Sequence, residues 1–129
     1  MVEIDAIYPL TPLQHGMLYH SLAAPRSGVD IEQLVFDLPE PIDPPALRAA
    51  WEQLVARHAV LRTAFRWTGV TEPQQEVGRA IALPWTQLDW TDATSANHEA
   101  RLAALLAADR TLGFELNLGP LLRLTLTQL

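Results

Sequence analysis

Chemistry near neutral pH most often runs through histidine, and this sequence has four, His15, His20, His58 and His98. None is adjacent to another, and none is spaced with a carboxylate on a helix as a metal-binding pair would be, so no metal site is predicted. Ser21, Ser27 and Ser95 are the serines, and none lies in the Gly-x-Ser-x-Gly turn that exposes a nucleophile. No glycine pattern could cradle a phosphate, and the absence of cysteine removes disulfides and thiolate chemistry. Asp89, Asp92, Asp109 and Glu115 read as turn, cap and solvated positions, because no spacing pairs two carboxylates on one face. His58 reads as a helix-end residue that meets the terminal carbonyls and packs against a sheet, and Trp51, Trp67, Trp85 and Trp90 read as packing residues. The residues alone assign no catalytic group.

The elements that would position these side chains are easier to read. Thr11 followed by Pro12, with Gln14 three residues on, has the form of a capping box and predicts a helix to about Leu22. Asp43 before Pro44 and Pro45 opens a second helix, whose apolar stripe is Leu47, Ala50, Trp51, Leu54, Val55 and His58. A third begins near Thr94 or Ser95, carries Leu102, Leu105, Leu106 and Leu112, and stops near Gly113. Period-two alternation predicts strands with one buried face over residues 33–38 and 121–127. Residues 61–67 alternate as well, which puts Arg62 on the face opposite Leu61, Thr63 and Phe65, with Arg66 on the Arg62 side. Weaker strands are read at 74–77 and 83–88. The order predicts an α/β fold, with helices in one layer on a mostly antiparallel or mixed sheet.

At 129 residues the chain is the size of one domain, or a lobe of one, and no linker or repeat divides it. It is 49% hydrophobic and 19% charged, a composition that buries a core. A net charge of -6 gives no footprint for nucleic acid or anionic lipid, and no apolar stretch approaches the roughly 20 residues a membrane helix needs. A cytoplasmic protein is expected.

Two longer segments carry more than composition. Tyr8-Pro9-Leu10-Thr11-Pro12-Leu13-Gln14-His15-Gly16-Met17-Leu18-Tyr19-His20-Ser21-Leu22 closely resembles the first signature of nonribosomal peptide synthetase condensation domains. Arg57-His58-Ala59-Val60-Leu61-Arg62-Thr63-Ala64-Phe65 is similar to the second. Residues 114–124 resemble the stretch that leads these domains into their catalytic strand and loop. The resemblance spans essentially the whole chain.

It implies the amino-terminal lobe of a chloramphenicol-acetyltransferase-like fold, with the active site of the complete domain in a tunnel between two lobes. In the family, a donor acyl or peptidyl thioester and an acceptor aminoacyl thioester, each on the phosphopantetheine arm of a peptidyl carrier protein, are joined by an amide bond. No directly bound cofactor is implied. The family's His-His-x-x-x-Asp-Gly signature is expected shortly after the last strand and is not in this sequence, so this chain alone is expected to be inactive. Arg62 is implied to hold the aspartate of that motif by a charge-assisted contact. Gln14, Met17 and Leu18 are expected to border the tunnel or lie under it, with Met17 and Leu18 in the core. Implied partners are both carrier proteins, the rest of the domain and the adjacent adenylation domain. The cut strand at 121–127 is expected to make this chain self-associate. A non-catalytic docking module is the competing reading, and acyl transfer to an alcohol a third.

Overall fold

The computed structural model describes residues 2–129. Five strands and three helices follow in the order β1 (Ile4–Pro9), α1 (Pro12–Ala23), α2 (Pro44–Arg57), β2 (Thr63–Arg66), β3 (Gln74–Gly78), β4 (Trp85–Asp89), α3 (Ser95–Leu112) and β5 (Leu124–Gln128). The mixed α/β class expected from the sequence is present. The strands form two separate sheets: β3 lies between β1 and β2 in an antiparallel sheet, and β4 pairs with β5 in parallel. A parallel pair cannot be closed by a tight turn, and α3 supplies the crossover between β4 and β5.

Two of the three helices start on a side-chain cap, and Thr94 before α3 makes no such bond. Thr11 Oγ1 accepts from the Gln14 N–H at 3.2 Å while Gln14 Oε1 accepts from the Thr11 N–H at 2.8 Å, the reciprocal pair of a capping box. Asp43 Oδ1 accepts from the Ala46 N–H, and Pro44 occupies a position whose N–H would be orphaned anyway. Gly113 ends α3 with φ +60, a conformation that costs other residues strain.

Several expectations need correction. Residues 33–38 form no strand: no segment among the described residues supplies backbone partners, and Leu34 and Phe36 stand 78% and 74% exposed. Residues 59–62 wind into a 3-10 turn between α2 and β2, so Arg62 belongs to that turn and not to a strand face shared with Arg66. The last strand starts at Leu124 and not at Leu121, because its ladder begins opposite Trp85, the first residue of β4. β1 lies outside the expected strands, since Ile4, Asp5, Ala6, Ile7, Tyr8 and Pro9 lack alternation; it forms because β3 offers a ladder.

The buried apolar residues are Leu10, Leu18, Val55, Val77 and Leu83, and Val55 alone is almost fully enclosed. The accessible surface is 9352 Å², against about 6,800 Å² for a self-contained monomer of this mass. Leu13, Met17, Tyr19 and Leu22 of α1 are exposed, so much of the apolar surface of α1 is uncovered among the described residues. Met17, expected in the core, is 40% exposed, whereas Leu18 is buried. His58 is an exposed C-cap whose N–H reaches the Leu54 carbonyl, so its expected packing against a sheet is not realised.

Candidate functional site

The three signature segments converge on the β1–β3–β2 sheet. Gln75 on β3 donates to the Pro9 carbonyl at 3.0 Å, and its amide and that of Gln14 lie 3.1 and 3.2 Å apart, which pins the start of α1 to the sheet. Leu10 is buried, while Tyr8 and Pro9 border an open cleft of about 560 Å³ with Val70, Glu72 and Gln74. On the other edge, the Phe65 N–H donates to the Leu116 carbonyl at 2.8 Å. Residues 114–121 thus cover β2, and Gly119 sits so close that a Cβ there would lie 3.2 Å from the Thr63 carbonyl oxygen.

Arg62 joins the end of α2, the end of β3 and β1. It leaves the 3-10 turn, and its side chain is only 11% exposed. Nε donates to the Val55 carbonyl at 3.0 Å, in the last turns of α2 where carbonyls lack helical partners. Nη1 donates to the carbonyls of Gly78, at the end of β3, and of Arg79 at 3.4 Å. Asp5 Oδ2 lies 3.7 Å from Nη1, and Nη2 makes no hydrogen bond among the described residues. A guanidinium carries five N–H donors in a planar fork and stays charged. This one is fixed on one side by backbone and has donors left on the other.

The remaining second-signature residues act around it. Thr63 is buried and its hydroxyl donates to the Ala59 carbonyl at 2.9 Å, which closes the 3-10 turn. Leu61 and Phe65 are half-buried. Arg57 is exposed and lines a shallow cleft of about 310 Å³ with Ala50, Gln53 and Leu54. Arg66 forms a two-pronged contact with Glu76 across β2 and β3, at 2.6 and 3.1 Å. That hydrogen bond holds the Glu76 carboxyl below its ordinary pKa and raises that of Arg66.

A second cluster was not read from the sequence. Arg123 caps α3: Nη2 donates to the Asp109 carbonyl at 2.8 Å, Nη1 to the Gly113 carbonyl, and Nε to the Asp109 carboxylate. Its guanidinium also stacks 4.2 Å above the Phe114 ring. Gln33 joins the cluster through the Leu106 carbonyl and Asp109 Oδ2, and Arg110 holds the carbonyls of Gly28 and Ile31. A Cβ at Gly28 would run into the Arg110 side chain, and φ there is +72. Asp109 is therefore a network residue and not the solvated position expected. Burial works to raise its pKa, but hydrogen bonds from Arg123 and Gln33 and the charges of Arg123 and Arg110 outweigh it, so the carboxyl lies below its ordinary value. The signal for this cluster was the third resemblance segment itself, which contains Arg123; Gln33 and Asp109 had none.

Among the described residues no group of side chains could hold a metal ion. Ser21 donates its hydroxyl to Asp30 Oδ2 at 3.3 Å with no histidine in contact, and no histidine among the described residues meets a carboxylate. Asp89 accepts from the Thr91 hydroxyl and N–H as a turn residue, which keeps its carboxyl below the ordinary range. Among those residues, too, no helix is long and apolar enough to cross a membrane. What the arrangement offers is a fixed cation, Arg62, beside a sheet that gathers the signature residues.

The family model described as "Condensation domain" matches residues 4–129. The chain is 44% identical to a linear gramicidin synthase of Brevibacillus parabrevis over 98% of its own length, and 31% identical to bacitracin synthase 1 of Bacillus licheniformis over 98%. It spans about 2% of the length of each of these relatives. The crystal structure of the starter condensation domain of rhizomide synthetase superposes on 96% of this chain with a TM-score of 0.75 and 24% identity, and the chain covers 30% of that structure. The shared fold is part of the chloramphenicol-acetyltransferase-like architecture. Three signature segments gathered on one sheet, a matching fold and a family match from Ile4 to Leu129 agree: this chain belongs to the condensation-domain family of nonribosomal peptide synthetases.

Proposed function

We propose that residues 1–129 form the amino-terminal lobe of a cytoplasmic condensation domain that makes an amide bond between two carrier-bound substrates. In that reaction the acceptor amine attacks the donor thioester carbonyl. A C–N bond forms, the C–S bond breaks, the donor arm leaves as a thiol, and the amine gives up a proton. The phosphopantetheine arms of donor and acceptor carriers present the substrates, and the adenylation domain next to the condensation domain loads one of them. The group that positions or deprotonates the amine belongs to the His-His-x-x-x-Asp-Gly signature, which these residues do not contain.

The contribution of this lobe is Arg62. Backbone carbonyls hold it at Nε and Nη1, and its Nη2 carries no hydrogen bond among the described residues, which suits a fork waiting for a carboxylate. The aspartate of the signature is the acceptor, and the contact keeps the catalytic loop in register. Tyr8, Pro9, Leu10, Thr11, Gln14 and Met17 build the wall from which α1 faces the substrate path, while Arg57, His58, Leu61, Thr63 and Phe65 shape the turn that presents Arg62.

The test is amide formation by the complete domain with loaded donor and acceptor carriers. Arg62→Ala loses most of the activity and Arg66→Ala, whose partner is Glu76, keeps it. Equal and near-neutral effects of the two changes overturn the role of Arg62.

A further inference from the structure

We propose that Asp5 is a positioning residue for Arg62, an inference that rests on the role given to Arg62 above. The β1–β3 register slips by one residue between Ile4, opposite Gly78, and Ala6, opposite Val77. Asp5 is the extra residue of that irregularity. Bulges free a residue from the ladder and re-aim its side chain, and here the carboxylate is turned toward the end of β3.

Its two oxygens are divided between two arginines. Oδ1 accepts from Arg79 Nε at 2.9 Å, and Oδ2 lies 3.7 Å from Arg62 Nη1. Arg79 in turn pairs with Glu3, and its N–H donates to the Glu3 carbonyl at 2.7 Å, which ties β1 to the residue after β3. Glu3, Asp5, Arg62 and Arg79 thus balance in charge within one cluster. The other acceptors of Arg62 are neutral carbonyls, so Asp5 is the charge that draws Nη1 to this side of the largely buried guanidinium. The consequence is directional: with Nη1 held toward β1, Nη2 is the corner presented outward. Without Asp5 the fork is tethered by dipoles alone and loses that orientation.

Asp5→Asn keeps the shape and removes the charge. In a complete condensation domain containing this sequence, it lowers kcat for amide formation on the order of threefold to tenfold, with KM for the loaded carriers unchanged, as coupled residues of one network do. Asp5→Glu, one methylene longer, closes the 3.7 Å gap and restores the rate. The Arg62 Nε–H resonance in a nitrogen–proton spectrum moves toward the position of a free arginine in Asp5→Asn and returns in Asp5→Glu, while backbone amides away from β1 stay in place. The proposal is overturned if kcat and that resonance are unchanged in Asp5→Asn, or if Glu3→Gln slows the reaction as much. Arg62→Lys separates the two readings. Full activity in that variant sinks the role of Arg62 itself, whereas a slow Arg62→Lys beside an unaffected Asp5→Asn sinks the inference about Asp5 alone.

Discussion

Two arginines in this chain do the same structural job with different completeness. Arg62 meets carbonyls at the end of α2 and joins them to β3; Arg123 meets carbonyls at the end of α3 and joins them to the approach to β5. Arg62 takes the Val55 carbonyl in the last turn of α2, whereas Arg123 takes the Asp109 carbonyl, which also accepts the Gly113 N–H at 3.1 Å, and the carbonyl of Gly113 itself. Arg123 has the carboxylate of Asp109 in direct contact and an aromatic ring beneath it, so its electrostatic needs are met inside the chain. Arg62 has its carboxylate at 3.7 Å and keeps one nitrogen without a partner among the described residues. Arg123 is a finished staple, whereas Arg62 is a cation with capacity to spare, and the second kind is what a functional contact requires.

The largest predicted effect tests that difference in activity. In the role proposed for Arg62, Arg62→Ala in the complete domain leaves the catalytic-loop aspartate unpaired, which costs roughly 1–3 kcal/mol and lowers the rate about tenfold to a hundredfold. Arg123→Ala leaves the rate per folded molecule within about twofold, since its partners are all structural; a rate loss equal to that of Arg62→Ala would erase the distinction.

Stability is predicted to run the other way. Removing Arg123 strips α3 of its cap and leaves Asp109 part-buried without its cation, a loss of about 2–3 kcal/mol that denaturant unfolding of the complete domain reads directly. Arg62→Ala destabilises less in the same measurement, because its strongest contacts go to neutral carbonyls. Equal losses would mean that Arg62 is a staple like the other.

How much of this contrast was legible depends on the range of the signal. The caps of α1 and α2, at Thr11 and Asp43, and the stop at Gly113 are local chemistry, and each appears where its own residues place it. The strand at 33–38 failed for the opposite reason: alternation says that a segment would pair, and pairing needs a neighbour that the described residues do not provide. Leu61 to Trp67 alternates too, yet the turn at 59–62 wins because Thr63 bonds back to Ala59 and Arg62 to Val55. The family signatures marked Arg62 but not Asp5 or Arg79, whose roles arise from a bulge and a cross-strand approach that no spacing announces.

Acid sharpens the comparison from a third direction. The Asp109 carboxyl has a folded pKa below its unfolded value of about 3.9, so its contribution to stability is complete above that pH and is lost as pH falls through the folded value. Asp109→Asn removes this contribution at neutral pH, and the gap between variant and parent should close in acid. A gap that stays constant from about pH 6 to about 3 would show that Asp109 acts by shape and not by charge.

The smallest effect concerns the segment that the Arg123 cluster holds at one end and that nothing among the described residues covers. Gln33 and Arg110 anchor residues 28–33, and directly after them Leu34, Val35 and Phe36 stand in water. With surface well above what a self-contained monomer exposes, the isolated chain is predicted to associate with itself, as unpaired apolar backbone does. A fully buried Phe would be worth about 1.5–3 kcal/mol, but ordering the loop and incomplete burial leave about 1 kcal/mol, so Phe36→Ser should weaken association about fivefold. Thr125→Lys offers the contrast, because an exposed position on β5 would matter only if the edge of the last strand were the contact. Light scattering over a dilution series distinguishes the two surfaces: weakening by Phe36→Ser alone assigns the contact to the segment beside Gln33, and weakening by Thr125→Lys alone moves it to β5. A monomer at every concentration would show that the excess surface is tolerated in water and carries no drive to associate.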